Sequence, residues 1–536
     1  MRAVFLPILT ILAFSASGQL VIDNATFFIG EGAVVTVQGS LTSNVAIQAG
    51  GAGVNQGKIQ LKGSGVQQIN TNGFVIPRLE IDNASNATLV GDVRVGNRLE
   101  FTNGKFQLGN NNFILEESIE IVGAGASKFL ETNGTGQARR LVSANSADKL
   151  IPVGSGTNYN PFVFTTTGST YNAGAYVGVQ GTGAAVPVPQ RHPRTESYLN
   201  TSWKVTKSNI VSGNLVGKGT YGNSQFSGTE TEVRGMYWNG TSWSLAGGAQ
   251  DAGLTTVTAN VSSNSGELYG MNKFILVNPK VFLQGAYNSG TGLMSDALRT
   301  PTNLIPLSDP FRNAPYSGSF AHVANSTAET VNASLFNNNP SPENNLVDWV
   351  FVELRSISSP TVAPVVQTRS VLVQRDGDLV DVDGVSPVYF KNVDGGNYAI
   401  SIRHRNHLGL STNPAVPVAL GLNSTTLDFT SLPIASLFGS NNVNYARSGG
   451  INLLYAGNAN INTNVRAGGP ANDKDAILNT GLGNNPGAIV SNVYNVNDIN
   501  MNRIIRFGGP SNDKDFLINT PLSGNPSISK TQALPN

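Results

Sequence analysis

Short strand-like runs separated by Gly and Asn turns fill the region between residues 20 and 125. Each run alternates apolar with polar side chains and stops at Gly, Asn or Asp, as β-strands do. The runs are Ala33–Gln38, Lys58–Lys62, Leu79–Asp82, Val93–Val95, Leu99–Phe101, Lys105–Leu108 and Ile119–Val122. Most gaps between them are too short for crossover helices, and the turns lack the two-residue hairpin signature. The pattern therefore predicts a parallel β-solenoid, with an antiparallel meander as the alternative.

Composition excludes several classes of protein. Sixty glycines, many asparagines and only 12% charged residues suit short strands joined by tight turns better than a helical enzyme. The 34 basic and 33 acidic residues give a net charge of +1 without a basic stripe, which argues against nucleic acid as a main partner. No cysteine is present, so stability must come from large β-cores and bound ions rather than from disulfides.

The first eighteen residues have the pattern of a secretory signal peptide. Arg2 supplies the positive start, Ala3–Phe14 the apolar stretch, and Ala16–Gly18 the small residues of a cleavage site before Gln19. The apolar stretch is too short for a stable membrane anchor, and no later segment has the pattern of a transmembrane helix. A buried N-terminal strand or helix is the alternative. We therefore expect a secreted or extracellular protein, which could associate with a cell surface.

Longer strand-like runs with aromatic residues begin near residue 130 and continue to about residue 430. They predict a β-sandwich over residues 129–278 and a second over 279–430, of immunoglobulin-like or jelly-roll type. Helical periodicity is scarce throughout. The predicted fold class is therefore all-β and multidomain, with a signal peptide (1–18), an N-terminal β-solenoid (parallel β-helix-like, 19–128), two β-sandwiches and a C-terminal repeat with linker and tail (431–536).

A loop is duplicated within the last ninety residues. Residues 458–486 and 498–526 agree at 15 of 29 positions when they are aligned at an offset of 40. Each copy places oxygen-bearing side chains at positions 1, 3 and 5 and ends in Gly-Gly-Pro-x-Asn-Asp-Lys-Asp. Alternate oxygen ligands of this kind begin a calcium loop, because alternate residues can point at one centre.

The candidate calcium ligands occupy equivalent places in the two copies. Positions 1, 3 and 5 are Asn458, Asn460 and Asn462 in the first loop and Asp498, Asn500 and Asn502 in the second. Position 7, which gives a backbone carbonyl oxygen, is Asn464 or Ile504. Asp473 and Asp513 are the expected closing acids, with Asp475 and Asp515 as alternatives or as helix-capping residues. We expect calcium as the cofactor, with the second loop the better site because it carries more negative charge.

The duplicated loop resembles the dockerin-like tandem calcium-loop repeat that ends many large exported, haemagglutinin-like surface proteins of Bacteroidetes-type bacteria. The resemblance covers about residues 280–525. Within that range, and ahead of the loops, it rests on Val347–Arg355, Gln374–Asp378 and Arg403–Gly409. It implies a small loop–helix pair, adhesion or assembly, and no reaction. The implied partner is another protein, or the preceding sandwich, contacted by the apolar faces of the short helices. Self-assembly and binding of a surface glycan are further possibilities.

The two loops depart from the pattern that this resemblance implies. Asn replaces Asp at position 1 of the first loop and at position 5 of both, and Thr463 and Arg503 replace the turn glycine. Fewer carboxylates weaken calcium binding. Arg503 would bring a cation near the site and would need a backbone conformation that glycine tolerates better. Ion-free Asn-rich turns held by side-chain hydrogen bonds are the alternative interpretation.

Other candidate sites favour ordinary structure. The acids from Asp376 to Asp383 could share a cation, but two Asp-Gly pairs also indicate turns. His404 and His407 are three apart, so on one strand they would face opposite sides and could not chelate zinc. No Gly-x-Ser-x-Gly elbow or phosphate loop is present, so an enzyme is not expected.

Carbohydrate chemistry is the alternative functional class. A solenoid enzyme would need clustered carboxylates, and the candidates in the solenoid region are Glu80, Asp82, Glu116, Glu117 and Glu120. Trp203, Trp238 and Trp243 would be sugar-stacking platforms unless they belong to a sandwich core. The sequence thus favours a non-enzymatic secreted or cell-surface structural or adhesion protein with a calcium-dependent C-terminal module. A glycan-binding or glycan-degrading extracellular protein is the alternative.

Overall fold

The computed structural model describes residues 18–187, 190–245 and 255–536. The predicted signal peptide, apart from Gly18, lies outside these residues. The described chain is nearly all β, with a β-solenoid of about six turns and several sheets. The described residues form two compact units, one within residues 1–191 and 195–272 and the other within residues 192–194 and 273–536. No helix within the described ranges is long and apolar enough to cross a membrane.

The solenoid in the first unit stacks strands from successive turns of chain. One of its sheets contains Leu20–Ile22, Leu41–Ser43, Gln67–Asn70, Ala87–Leu89, Phe106–Gln107, Leu130–Glu131 and Val153–Ser155, followed by Asn158–Tyr159. All but the last pairing are parallel. The first turns add a separate parallel pair, Phe27–Ile29 with Ile47–Ala49. The predicted parallel solenoid is confirmed, and the meander is not formed.

The second solenoid sheet shows why the apolar alternation produces stacking. Its parallel strands are Val34–Val37, Lys58–Leu61, Val75–Asp82, Val93–Asn103, Phe113–Leu115, Glu120–Val122 and Ala138–Leu141. Ile59 pairs with Leu79, and Leu79 pairs with Leu99, so equivalent side chains lie one above another. All three are fully buried. Each turn therefore covers the apolar face of the one before it, as solenoids require.

The same sheet continues past the solenoid without a break. Ala138–Leu141 pairs in parallel with Phe113–Leu115 on one side and antiparallel with Tyr171–Thr182 on the other. The further antiparallel strands are Tyr198–Leu199, Ser202–Ile210, Phe226–Ser227, Val233–Trp238, Trp243–Leu245 and Ser265–Asn272. A separate four-stranded antiparallel sheet is formed by Ser146–Ile151, Phe162–Thr167, Asn214–Thr220 and Thr256–Asn260. Solenoid and antiparallel strands therefore share one hydrophobic core.

The second unit is built on a six-stranded antiparallel sheet. Its strands are Leu346–Ser356, Val365–Gln374, Leu379–Val380, Gly396–His404, His407–Ser411 and Val418–Leu420. A three-stranded sheet consists of Phe274–Lys280, Val388–Lys391 and Thr425–Asp428. The two-stranded pairs are Tyr287–Asn288 with Leu293–Met294, Ala446–Ser448 with Ile451–Leu453, Asn464–Arg466 with Ser529–Thr531, and Ile489–Ser491 with Ile504–Arg506.

Helices are few and short. The α-helices are Asp473–Ala476 and Asp513–Asn519, the first continued by a π-helical turn at Ile477–Gly481. The 3₁₀-helices are Gly53–Asn55, Glu230–Glu232, Pro310–Arg312, Ala333–Phe336, Pro342–Asn344 and Ile434–Ser436. Two residues separate each Gly-Gly-Pro segment from the first residue of its α-helix, which is Asp473 or Asp513.

The duplicated segment shares the core of the second unit. Ile477 and Leu517 from the helices and Val465 and Ile505 from the short strands are fully buried in the same hydrophobic cluster as Val350 of the six-stranded sheet. Burying aliphatic side chains of this size stabilises the contact by roughly 1.5–3 kcal/mol each. The apolar faces of the repeat are therefore packed against the protein's own chain.

Candidate metal centre

The second loop turns three alternate side chains back onto its own backbone. Asp498 accepts hydrogen bonds from the backbone N–H groups of Asn502 (3.0 Å) and Arg503 (2.9 Å), one to each carboxylate oxygen. Asn500 Oδ1 also accepts from the Asn502 N–H (3.2 Å), and Asn502 Oδ1 accepts from the Ile504 N–H (2.9 Å). The side-chain oxygens of positions 1, 3 and 5 thus all accept hydrogen bonds from the backbone of Asn502–Ile504.

The first loop repeats this arrangement with one important difference. Asn458 Oδ1 accepts from the Asn462 N–H (3.0 Å), and Asn462 Oδ1 accepts from the Asn464 N–H (2.7 Å). Asn460 Oδ1 contacts the same Asn462 N–H at 3.2 Å. However, Asn458 Nδ2 donates to the Asn462 carbonyl oxygen (2.8 Å). Position 1 of the first loop therefore carries a donor where the second loop carries a second carboxylate oxygen, and a donor does not bind a cation.

A buried acid closes each loop. Asp473 accepts from the N–H groups of Ala459 and Arg466, both at 2.8 Å. Asp513 accepts from the N–H groups of Ile499 and Arg506, both at 3.0 Å. Both carboxylates come from the first residue of a helix and join the beginning of the loop to its end. In this structure the two acids thus connect the two ends of each loop through backbone hydrogen bonds.

Asp475 and Asp515 lie on the outside and cap the helices. Asn472 and Asn512 are the N-cap residues, and their Oδ1 atoms accept from the N–H of Asp475 (2.8 Å) and Asp515 (2.7 Å). Their Nδ2 atoms donate back to the two carboxylates at 2.7 Å. Each N-cap Asn thus caps its helix, and the Asp three residues later bonds the side-chain amide of that Asn rather than its backbone N–H, as it would in a capping box. Each Asp side chain is about half exposed. The helix-capping alternative for these acids has direct geometric support, and the Asn-x-x-Asp spacing was its signal.

Burial makes the loop acids unusual in their acid–base behaviour. Desolvation raises the pKa of Asp473 to about 7, of Asp498 to about 6 and of Asp513 to about 8. The negative charge of Asp498 raises the pKa of Asp513 further, whereas backbone N–H groups oppose the shift in all three. The second loop thus brings two mutually repelling carboxylates together, and the first loop has one. A bound divalent cation would relieve that repulsion.

Arg503, at position 6 of the second loop, has a backbone conformation that glycine adopts more easily than arginine does. Arg503 has a φ of +74°, in the left-handed region. Its guanidinium donates to Asn492 Oδ1 (3.0 Å) and to the Thr300 carbonyl oxygen. The charge that was expected to lie near the site is thus engaged by groups outside the loop. Arg503 costs backbone strain of about 1 kcal/mol or more.

The donor set of the second loop fits calcium. Asp498, Asn500, Asn502 and Asp513 offer only oxygen ligands through their acceptor atoms, which is the chemistry that Ca²⁺ prefers. Ile504, expected to add a backbone carbonyl oxygen, begins the strand Ile504–Arg506. Each carboxylate oxygen that accepts one N–H keeps a further lone pair. Among the described residues, no group of three or more His, Asp or Glu side chains could hold a metal. A calcium site in this loop would therefore depend on Asn oxygens beside two carboxylates.

A buried polar cluster fastens this loop to the six-stranded sheet. We call Asp348, His404, Arg405, His407 and Tyr494 the Asp348 cluster. Asp348 accepts from Arg405 Nε (2.9 Å), from His404 Nε2 (3.1 Å) and from the Tyr494 hydroxyl (2.7 Å). The neighbouring Asn406 Nδ2 donates to the Asp498 carbonyl oxygen at 2.7 Å. The first residue of the candidate site is thus held by a hairpin of the sheet.

The two histidines of this cluster correct one sequence-based expectation. His404 ends one strand and His407 begins the next, and they form a residue pair across the hairpin. Their Nδ1 atoms lie 3.0 Å apart. The expectation that the rings face opposite sides is wrong, because the chain turns at Arg405 and Asn406. The ring nitrogens are nevertheless engaged by Asp348, Gly285, Asn406 and each other, so the pair is a hydrogen-bonded core element.

The C-terminal segment closes the first loop from outside. Ser529–Thr531 pairs with Asn464–Arg466, and Gln532 bonds both the Thr463 carbonyl oxygen (2.8 Å) and the Gly409 N–H (2.7 Å). The Asn536 carbonyl oxygen accepts from the Ala363 N–H at 2.7 Å. Sequence patterns did not identify this segment, since its contacts are made with residues far away along the chain.

The other acid candidates are engaged in structural pairs. In the solenoid, Glu80 pairs with Lys58 (2.5 Å), Asp82 with Lys62 (2.8 Å), Glu116 with Arg94 (2.5 Å) and Glu120 with Arg98, while Glu117 accepts from Ser143 (2.5 Å). Asp376 and Asp383 accept backbone N–H groups in turns, Asp378 pairs with Lys280 (3.1 Å), and Asp381 pairs with Arg194 (2.7 Å). These acids stabilise sheets and turns.

The tryptophans behave mainly as core residues. Trp203 is fully buried and donates its Nε1 hydrogen to the Asn160 carbonyl oxygen at 2.9 Å. Trp243 is 8% exposed and packs 5.1 Å from the half-buried Trp238. A sugar-stacking platform needs an open ring face, which Trp203 does not offer.

Comparisons with known proteins leave these geometric observations as the basis for function. No protein-family model, no curated protein and no solved structure matches the chain.

Proposed function

We propose that this chain is a non-enzymatic exported protein of a bacterial cell surface or extracellular matrix, with a structural or adhesive role. In this proposal the solenoid is followed by two β-sandwiches and a dockerin-like loop pair, and calcium binds the second loop. The observation that carries the calcium site is the burial of Asp498 and Asp513 around one loop interior lined with Asn oxygens. The signal-peptide pattern of residues 1–18 supports export.

In this proposal, calcium would stabilise the packing of the second loop against the rest of the second unit. Asp498 is tied through its carbonyl oxygen to Asn406 of the sheet hairpin, and the loop helix buries Leu517 in the shared core. Neutralising the two loop carboxylates would stabilise this packing. The docking partner of the loop pair is then first of all its own preceding sheet, and a second protein would contact the surface that remains outside.

A structural role is further supported by the state of the remaining acids. In the described solenoid, the five carboxylates weighed for sugar chemistry are engaged by cations, hydroxyls or amides. A glycosidase needs two carboxyl groups free to act as acid and as nucleophile or base. The paired solenoid acids favour the non-enzymatic role over glycan degradation.

The test is thermal unfolding of the full mature chain in calcium and in chelator, with Asp498→Asn beside the wild type. Saturating calcium at about 100 times Kd should stabilise the wild type by about 2.7 kcal/mol. Asp498→Asn gives the second loop the position 1 residue of the first, so most of this response should disappear. Equal melting temperatures of the wild type in calcium and chelator would overturn the calcium site.

A further inference from the structure

A cavity of about 390 Å³ opens within the second unit, beside the start of the second loop. One wall is the turn that contains Pro310 and Tyr316, and the other is the segment Tyr494–Asn497. Thr480, at the end of the first loop's helix, lies at its rim and is exposed. Its volume is in the range of small-molecule sites, which is about 300–1,000 Å³.

The lining of this cavity combines ring surfaces with neutral polar groups. Pro306, Pro310 and Pro315 supply aliphatic rings, and Tyr316 and Tyr494 supply aromatic ones. None of the described residues that line it carries a charged side chain. A charged ligand would therefore lose its hydration without gaining an ion pair. A neutral ligand with apolar ring faces would not suffer this loss.

One buried acceptor at the cavity is left without a donor. Asn497 lines the cavity and is 1% exposed. Its Nδ2 donates to the Ala459 carbonyl oxygen at 3.0 Å. Its Oδ1 is buried and receives no hydrogen bond from any described residue. A buried acceptor without a partner costs about 1–3 kcal/mol, and a ligand hydroxyl that reaches this oxygen would remove that cost.

We propose that this cavity binds one or two rings of a neutral saccharide. Sugar rings present C–H faces that pack on Tyr and Pro rings, and their hydroxyls donate hydrogen bonds of the kind that Asn497 Oδ1 lacks. A proline-rich peptide also packs on such rings, but it binds as an extended helix along a groove, whereas this cavity is near the small end of ligand sites. The site would give an adhesive protein its glycan contact. It does not rest on calcium in the loop.

The duplication supplies a matched pair of variants. Thr480 and Thr520 occupy equivalent positions forty residues apart, and both are exposed, but only Thr480 lines the cavity. Thr480→Trp should fill the rim, and Thr520→Trp places the same side chain on the other helix. Asn313→Trp at another exposed position of the lining is a second blocking variant if Thr480→Trp does not fold.

The experiment measures binding of glucose, galactose, mannose, N-acetylglucosamine and their β-linked disaccharides to the full mature chain. Saturation-transfer NMR in excess calcium keeps the loops in one state. We expect at least one sugar to bind with a Kd below about 10 mM. Thr480→Trp should weaken it by about tenfold or more, Asn497→Ala by about five- to thirtyfold, and Thr520→Trp not at all.

Three outcomes would overturn the proposal. The first is that no sugar of the set binds with a Kd below about 10 mM. The second is that Thr480→Trp and Asn313→Trp, both shown to be folded by thermal melting, bind the sugar as well as Thr520→Trp does. The third is that a proline-rich peptide binds the cavity instead of a sugar. A calcium response in the melting experiment without sugar binding would leave the proposed calcium site standing and remove this one.

Discussion

His407 accepts a hydrogen bond from the Gly285 N–H at Nε2 (3.0 Å), and its Nδ1 lies 3.0 Å from Nδ1 of His404. Because Nε2 of His407 is an acceptor, its proton must be on Nδ1, where it faces His404 and Asn406. His404 then carries its proton on Nε2, toward Asp348 at 3.1 Å. These hydrogen bonds hold both rings as neutral tautomers. An added proton on His407 Nε2 would face the Gly285 N–H, and one on His404 Nδ1 would face the N–H of His407.

The pH dependence of stability follows from this lock. Burial lowers the pKa of both histidines, and the nearby positive charge of Arg405 lowers the pKa of each further. As the pH falls below about 6.5, the unfolded chain gains protons that the folded chain does not, so stability decreases. Each histidine contributes up to about 1.4 kcal/mol per pH unit.

His407→Gln keeps an acceptor for Gly285 and removes one titrating group. Urea unfolding at pH 7, 6 and 5, in constant calcium, should show a slope lower by about 1.4 kcal/mol per pH unit than that of the wild type. Asp348, whose pKa is lowered to about 2, does not titrate in this window. Parallel pH profiles for wild type and variant would show that the locked neutral state is wrong.

A second prediction restores the missing carboxylate of the first loop. Asn458→Asp replaces the Nδ2 donor, which bonds the Asn462 carbonyl oxygen, with a second oxygen. In chelator the variant should be less stable than the wild type, because it places a carboxylate near the buried Asp473. In calcium it should gain stability, and isothermal titration should detect two sites where the wild type has one. A single site in both proteins would contradict the comparison of the loops.

The roles of the two acids in each closing motif can be separated. Asp513 is fully buried and bonds two loop N–H groups, whereas Asp515 is about half exposed and belongs to the helix cap. Asp513→Asn should abolish the calcium response. Asp515→Asn should leave calcium affinity within about twofold and cost at most about 1 kcal/mol of stability. Equal loss of calcium binding in both variants would assign Asp515 to the metal site.

The sequence predicted the elements whose signals are local. The solenoid follows from alternation along short runs, whereas the spacing of Asp498, Asn500 and Asn502 gives a calcium hypothesis that stays a prediction. Contacts between distant segments had no such signal. The meeting of His404 and His407 depends on where the hairpin turns, and the contact of Asn406 with the Asp498 carbonyl oxygen joins residues that are 92 positions apart. Asn497 was missed because its side chain is positioned by a contact with Ala459, 38 residues earlier in the first loop.

The C-terminal segment gives a fourth prediction. Removal of Ser529–Asn536 deletes the strand beside Asn464–Arg466, the Gln532 bond to Gly409 and the carbonyl oxygen of Pro535 that Arg355 contacts. Arg355 is buried, and losing one acceptor of a buried cation costs about 1–3 kcal/mol. The truncated protein should melt several degrees lower and be cleaved faster near residues 483–488 in limited proteolysis. Unchanged melting would show that the segment adds nothing to the second unit.

Glu100 offers the corresponding test for the solenoid. Its carboxylate contacts Arg78 (2.7 Å), Lys58 (3.5 Å) and Arg98, and its side chain is 13% exposed. The side chain of Glu120 is 57% exposed, and among the cations paired in the described solenoid it contacts only Arg98. Burial alone would raise the pKa of Glu100, but hydrogen bonds from Arg98 and Arg78 hold it below its usual value. Its contribution to stability is therefore present above about pH 4.5 and is lost as the pH falls.

At pH 7, Glu100→Gln should cost about 2–3 kcal/mol, because it leaves buried cations without their shared partner, and Glu120→Gln should cost less than about 1 kcal/mol. Chemical denaturation of both variants at pH 7 and pH 3 checks this. A Glu100→Gln penalty that is no larger than that of Glu120→Gln would mean that the stacked aliphatic rows alone hold the turns of the solenoid together.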